Sequence, residues 1–157
     1  MAAVSAVAET AGYGAADYGA AGAVGKTDLS VEQMLNYALE DEYLAHAKYD
    51  VIIKEHGNIR PFSNIIHAEL RHIDWVSGLM AKYGYPVPKD DSYQYAVSPL
   101  NIKASLEACV QGEIDNINMY NMFLKQKLPG DVRDLFLELR DSSENHLRAF
   151  RNNLRRY

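Results

Sequence analysis

Glu69-Leu70-Arg71-His72 sets a carboxylate and an imidazole one helical turn apart in a seam that is otherwise apolar or aromatic. The seam runs Phe62, Ile65, Glu69, His72, Val76, Leu79, Tyr83 in alternating steps of three and four, so all seven positions share one helix face. A lone buried carboxylate is costly even after relaxation, whereas a bound cation neutralises it and takes the histidine nitrogen as a second ligand. The spacing therefore points to metal binding.

Three other stretches carry matching residues on their inward faces. Between Ser30 and Glu55 the stripe reads Leu35, Ala38, Glu42, Ala45, Tyr49, Ile52. Between Pro99 and Lys127 it reads Ile102, Leu106, Cys109, Glu113, Asn116, Tyr120, Phe123. Between Asp131 and Tyr157 it reads Val132, Phe136, Leu139, Ser143, His146, Phe150, Leu154. Any one of these acids alone would read as a core carboxylate bonded to a neighbouring hydroxyl. Four helices that each supply a donor make Glu42, Glu69, His72, Glu113 and His146 a candidate ligand set. Oxygen and nitrogen donors without thiolate suit iron, which is favoured, or manganese or zinc.

The elements that must position these residues are bounded by clear signals. Ser30 with Gln33 forms a capping box, and Leu29 with Met34 its hydrophobic staple. The first helix is expected to end at His56-Gly57. Pro61 fits the first turn of the second helix, which stops at Tyr83-Gly84. Ser98-Pro99 is expected to open the third helix and Pro129-Gly130 to close it, with Asp131 capping the fourth. Short loops make the first and second, and the third and fourth, antiparallel hairpins. Residues 84–98 are about 15 extended residues reaching roughly 50 Å, against about 33 Å for a helix of about 22 residues. That connection can cross the bundle lengthwise.

A chain of 157 residues, 48% of them hydrophobic, can bury one core unaided. Its formal net charge of -5 argues against nucleic acid as the main partner. No apolar run approaches the roughly 20 residues of a membrane span, so a soluble chain is expected. The single Cys109 excludes an intramolecular disulfide and leaves the compartment undecided; a cytoplasmic location is the default, and an exported chain whose signal has been replaced by Met1 stays open. Residues 1–27, rich in alanine and glycine, read as a flexible tail ahead of a bundle at 28–157. The tyrosines of the near-repeat Tyr13-Gly14-Ala15-Ala16 and Tyr18-Gly19-Ala20-Ala21 would let that tail join subunits into a homo-oligomer.

Taken together, these residues resemble the ferritin-like carboxylate-bridged di-metal superfamily, in which two helices give one Glu each and two give Glu-x-x-His. Glu42-Tyr43-Leu44-Ala45 with Tyr49, Glu69-x-x-His72, and Gly112-Glu113 with Met119-Tyr120 look like the corresponding helices of rubrerythrin. Phe62-Ser63-Asn64-Ile65, Lys82-Tyr83-Gly84 and Ser143-Glu144-Asn145-His146-Leu147-Arg148-Ala149-Phe150 look closer to an uncharacterised ferritin-like domain family of bacteria and archaea. The resemblance covers about residues 30–155. It implies a four-helix bundle of two antiparallel hairpins joined by a long crossover, and two divalent ions bridged by Glu69. Glu42 with His72 would hold one ion, and Glu113 with His146 the other.

The activity implied is reduction of hydrogen peroxide or dioxygen by a di-iron or di-manganese centre, with electrons from a separate donor or from the substrate metal because no Cys-x-x-Cys is present. A ferroxidase or metal-handling role and a non-catalytic assembly with a structural metal are the alternatives. Ser143 stands where the superfamily places its second Glu, and Glu144, about 100° away, points outward; the site beside His146 should bind its ion weakly. Asn116 occupies the place where rubrerythrins can offer an extra Glu. Tyr49 and Tyr120, each seven residues after a candidate Glu, are either core aromatics with bonded hydroxyls or partners of the ligand carboxylates. Cys109 and Trp75 read as core residues, and His46, His56 and His67 as solvated, with a His46–Glu42 surface pair as an option.

Overall fold

The computed structural model describes residues 17–157, and the Tyr13–Ala16 half of the near-repeat lies outside the described residues. Five α-helices and no strand occur among them: α1 Gly19–Ala23, α2 Val31–His56, α3 Phe62–Lys82, α4 Ile102–Phe123 and α5 Gly130–Leu154. The capping box at the start of α2 is formed: Ser30 Oγ accepts from the Gln33 N–H and the Gln33 side chain accepts from the Ser30 N–H. Gly57, at φ 93°, ends α2 in a conformation that side chains disfavour. Three boundaries differ from expectation: α4 ends at Phe123, ahead of the Pro129-Gly130 at which closure is expected. Asn101, not Ser98-Pro99, caps α4 by accepting from the Ala104 N–H. Asp131 lies inside the first turn of α5, where its carboxylate takes hydrogen bonds from Lys82 and Tyr83 and so ties the end of α3 to the start of α5.

Contacts between side chains fix the helix directions. Glu42 meets His72, and Tyr49 packs on Phe62, so α2 and α3 run antiparallel. Phe123 packs on Phe136 and Glu113 meets His146, so α4 and α5 do likewise. Tyr120 bonds Glu42 while Tyr49 bonds Glu113, which sets α4 antiparallel to α2 and hence parallel to α3. A parallel successor requires the chain to return the length of the bundle. It does so along α2: Tyr43 Oη donates to the Pro88 carbonyl, Tyr93 Oη to Asp50, and His56 Nε2 lies 2.8 Å from the Pro99 oxygen. His56, expected to be solvated, is thus half-buried because it anchors the end of the crossover.

The inward stripes pack as their periodicity dictates. None of their residues is exposed, and Glu42, Glu69, His72, Glu113, Asn116, Ser143 and His146 are buried with them. The polar cluster divides the core in two. On one side Tyr49, Phe62 and Phe150 stack with centroids 5.5–6.3 Å apart, beside Ile52, Ile65, Leu106 and Cys109. On the other, Tyr120, Phe123 and Phe136 lie 5.3–6.4 Å apart beside Leu35, Leu39 and Leu139. Among the described residues no helix is long and apolar enough to cross a membrane.

Small residues were expected to leave the segment before Asp28 unanchored, yet α1 packs on α2 and α4 with Ala20 and Ala23 buried. The anchor is polar. Two orphan N–H groups at the start of α1, those of Gly19 and Ala20, donate to Glu40 at 3.0 Å and Asp41 at 2.8 Å. Lys26 and Tyr37 close the segment on Asp17. A Cβ at Gly19 would lie 3.1 Å from the Asp41 Cα and 3.2 Å from its nitrogen, at a φ of +55°. Gly19→Ala should therefore release α1. Trypsin is expected to cut after Lys26 at least about tenfold faster in the variant while the bundle melts at nearly the parent temperature; equal cleavage rates would show that the docking does not depend on this close approach.

Candidate metal centre

Each helix of the bundle contributes to the polar cluster, because the seams of α2, α4 and α5 each place one donor near mid-length and that of α3 places two. Two groups result, Glu42–Glu69–His72 and Glu69–Glu113–His146, each with donor atoms within 4.8 Å of one another. Glu69 is common to both. Its Oε2 lies 2.9 Å from His72 Nδ1 and its Oε1 3.2 Å from His146 Nδ1. His72 Nδ1 is also 3.1 Å from Glu42 Oε2, and His146 Nδ1 3.4 Å from Glu113 Oε1. All five residues singled out in the sequence are brought together.

This geometry fits an ion better than it fits a proton. Each Nδ1 faces two carboxylates but can carry only one hydrogen. Two ligand atoms each about 2.1 Å from one ion at a right angle are about 3.0 Å apart, close to the separations seen here. Glu113 Oε2 is buried with no hydrogen-bond partner, a costly state that a ligand position would relieve. The two groups could therefore hold two metal ions; nothing in the donor set names the metal.

Surrounding residues orient the donors. Tyr120 Oη donates to Glu42 Oε1 and Tyr49 Oη to Glu113 Oε1, both at 2.7 Å, so each hairpin steadies a carboxylate of the other. Both tyrosines are core aromatics, and both bond candidate ligands. Burial and the neighbouring carboxylates push both phenols well above their ordinary range, so they stay protonated donors. Glu42 is buried and faces His72, which removes the surface pair with His46. Ser142 was missed by the seam reading: its Oγ lies 3.0 Å from His72 Nε2 and 3.4 Å from His146 Nε2, on the ring edges opposite the carboxylates. Its spacing four residues before His146 was the available signal. Ser143 is buried on the inward face and Glu144 is exposed, as the helical angle requires.

Trp75 departs from expectation. It is 43% exposed rather than a core residue, with its ring 5.4 Å from that of His72. Cys109 is buried, and burial raises its thiol far above the range in which a thiolate forms, in keeping with a small core residue.

Protons occupy the metal-free cluster. Burial disfavours the imidazolium of His72, but hydrogen bonds to Glu42 and Glu69 outweigh it and raise the pKa to about 10. His146 is raised to about 10 in the same way, by Glu113 and Glu69 against burial. Burial likewise opposes ionisation of Glu69, yet His146 and His72 hold its carboxyl down to about 2. Burial pushes Glu42 up to about 8 and also raises Glu113. The central carboxylate is thus held in its ionised form between the two imidazoles, while burial favours the neutral forms of Glu42 and Glu113.

The fold is similar to that of the hypothetical protein MJ0754 from Methanococcus jannaschii DSM 2661, with 24% identity and a TM-score of 0.74 over 85% of this chain and 86% of that one. That likeness establishes the fold alone. No protein-family model and no curated protein matches the chain.

Two outcomes are expected on titration with a divalent metal. Because ligation needs a bare nitrogen and the imidazoles hold protons up to about pH 10, loading at pH 7 should release protons, and affinity should fall as pH is lowered. Calorimetry in buffers of different ionisation enthalpy reads this directly; identical heats in all buffers would contradict it. Trp75 is the single tryptophan, so its emission should change as iron loads, and no change at full loading would place the ions elsewhere.

Proposed function

We propose that the chain is a ferritin-like di-metal oxidoreductase that reduces hydrogen peroxide or dioxygen. Glu69 would bridge the ions, Glu42 with His72 would hold one, and Glu113 with His146 the other. The observation that carries this reading is the sharing of Glu69 between two Glu/His groups at ligand spacing. A bound pair of iron or manganese ions would supply two electrons, which with two protons convert peroxide to two waters.

The chain's own groups have separate tasks. Tyr49 and Tyr120 hold the outer carboxylates in place through their hydroxyls. Ser142 accepts the outer N–H of an imidazole whose Nδ1 is occupied, which fixes the ring's tautomer and orientation. The two aromatic clusters exclude bulk water along the bundle axis. Electrons would come from a separate donor or from the substrate metal, since the single Cys109 is buried and cannot form a dithiol within the chain.

Ser143 distinguishes the two half-sites. Each ion would have one outer acid, Glu42 or Glu113, and one oxygen of Glu69, and beside His146 a neutral hydroxyl stands where a fourth carboxylate would complete the set. The second half-site is therefore the weaker.

Anaerobically reduced, iron-loaded protein should consume peroxide well above the rate of equimolar free iron, and a rate no higher would remove the enzymatic reading. Rapid oxidation of many ferrous ions per chain with soluble mineral retained would instead favour the metal-handling role. Ser143→Glu should raise the stoichiometry towards two ions per chain, while Glu69→Gln should abolish most binding at unchanged helicity. Two tightly held ions in the parent, with no gain in Ser143→Glu, would refute the weaker half-site.

A further inference from the structure

The end of the bundle where α2 and α5 finish and α3 and α4 begin gathers positive charge. Phe62 lies 5.5 Å from Phe150, Ile102 and Leu154 pack on the same cluster, and His56 meets the Pro99 oxygen, so residues 55–63, 99–104 and 148–157 share that end. They hold Arg60, Lys103, Arg148, Arg151, Arg155 and Arg156 against one acid, Glu55, in a chain whose formal net charge is -5. All six bases are exposed, and among the described residues none is paired with an acid; Arg148 bonds only the neutral Asn145 side chain. Helix electrostatics accounts for part of this, because the macrodipole favours arginines at the C-terminus of α5. It does not account for Lys103, which sits in the first turn of α4 where the dipole disfavours it, or for Arg60, which lies between helices. Neither α3 nor α4 places an acid in its first turn, so two positive helix ends add to the six bases. The same end exposes apolar surface: Leu100 is 93% exposed and Tyr157 61%.

We propose that this end of the bundle docks on a bilayer of anionic lipid, with the six bases against the headgroup phosphates and Leu100 and Tyr157 in the interfacial layer. Charge complementarity calls for an anionic partner. The bases come from three separate segments spread over the cross-section of the bundle, an arrangement that suits a plane of charge. A leucine held out in water among them gains by entering the headgroup boundary and gains nothing from a phosphate strand. A second copy stacked end to end would not supply the complement, because the opposite end mixes Lys82, Lys125, Lys127 and Arg133 with Asp28, Glu32, Asp131 and Asp134. Docking of this kind needs no membrane span, and among the described residues no helix is long and apolar enough to form one. The surface lies at the end of the bundle, away from the mid-length Glu/His cluster, and stands independently of the metal reading.

Sedimentation of the full chain with vesicles tests this. Vesicles of mixed phosphatidylglycerol and phosphatidylcholine should carry the protein down at low salt, and vesicles of phosphatidylcholine alone should not. Raising the salt from about 0.05 M to about 0.5 M should weaken the partitioning at least about tenfold, since exposed charges are then screened within a few ångströms. Each base near the surface counts for about fivefold, so Arg60→Gln with Lys103→Gln should weaken it roughly twentyfold. Arg151→Gln with Arg155→Gln should do the same, and because the two pairs lie on different elements, fraying of the last turn of α5 cannot explain both. Leu100→Ser, at a side chain that packs on nothing, should weaken partitioning at least about fivefold without changing its salt dependence. Helicity should match the parent in every variant. Absence of binding to the anionic vesicles, equal binding to the neutral ones, or any of these variants partitioning as the parent does would overturn the proposal. So would tighter binding to a short DNA duplex than to the anionic vesicles, indifferent to Leu100→Ser, which would assign the surface to nucleic acid.

Discussion

Glu69 is a buried carboxylate with both oxygens committed, one to each of two histidines, at the centre of the core. Desolvating such an anion costs several kcal/mol unless cations or strong donors meet it. His72 and His146 meet it in the metal-free protein, and metal ions would meet it in their place. Either arrangement requires α3 and α5 to face one another with these residues level. The rest of the bundle is organised around that requirement.

The outer acids are steadied by a reciprocal exchange. Tyr49 of α2 bonds Glu113 of α4, and Tyr120 of α4 bonds Glu42 of α2, so neither hairpin completes its half of the cluster alone. Each tyrosine also belongs to one of the two aromatic clusters that close the core above and below. Packing and polar satisfaction therefore reinforce each other, since a phenol can fill apolar volume with its ring and still reach a buried carboxylate with its hydroxyl. The near-equivalence of the two halves fails where Ser143, buried on α5 three residues before His146, stands at the position that Glu69 holds before His72 on α3.

The long connection and α1 both lean on α2, for different reasons. The connection must run the length of the bundle because α3 and α4 are parallel, and its carbonyls and hydroxyls bond Tyr43, Asp50 and His56 on the way. The α1 segment buries Tyr18, Ala20 and Ala23; two backbone N–H groups on Glu40 and Asp41 also hold it, together with the Lys26–Asp17 pair. Asp41 thus engages α1 while its neighbour Glu42 faces the cluster. Adjacent acids on one helix, about 100° apart, serve two different contacts.

Periodicity alone determined which faces of the four long helices turn inward, and with them the five donors. A helix that must bury one stripe leaves an ionisable residue in that stripe no place but the interior, so Glu42, Glu69, His72, Glu113 and His146 were legible as a set. The length of residues 84–98 made the crossover legible too, through the distance it had to span. Other contacts were not, because they depend on which residues of distant segments come level. Ser142 lies off the seam and reaches the histidines only because α3 and α5 approach closely there. Trp75 looks apolar in the sequence, yet it lies at the surface with its ring against that of His72. Glu40 and Asp41 gain their partners only when the chain before Asp28 folds back to offer them two N–H groups. Local sequence fixes the phase of a helix, and only the tertiary structure sets its neighbours and therefore the partners of every residue at the edge of its buried face.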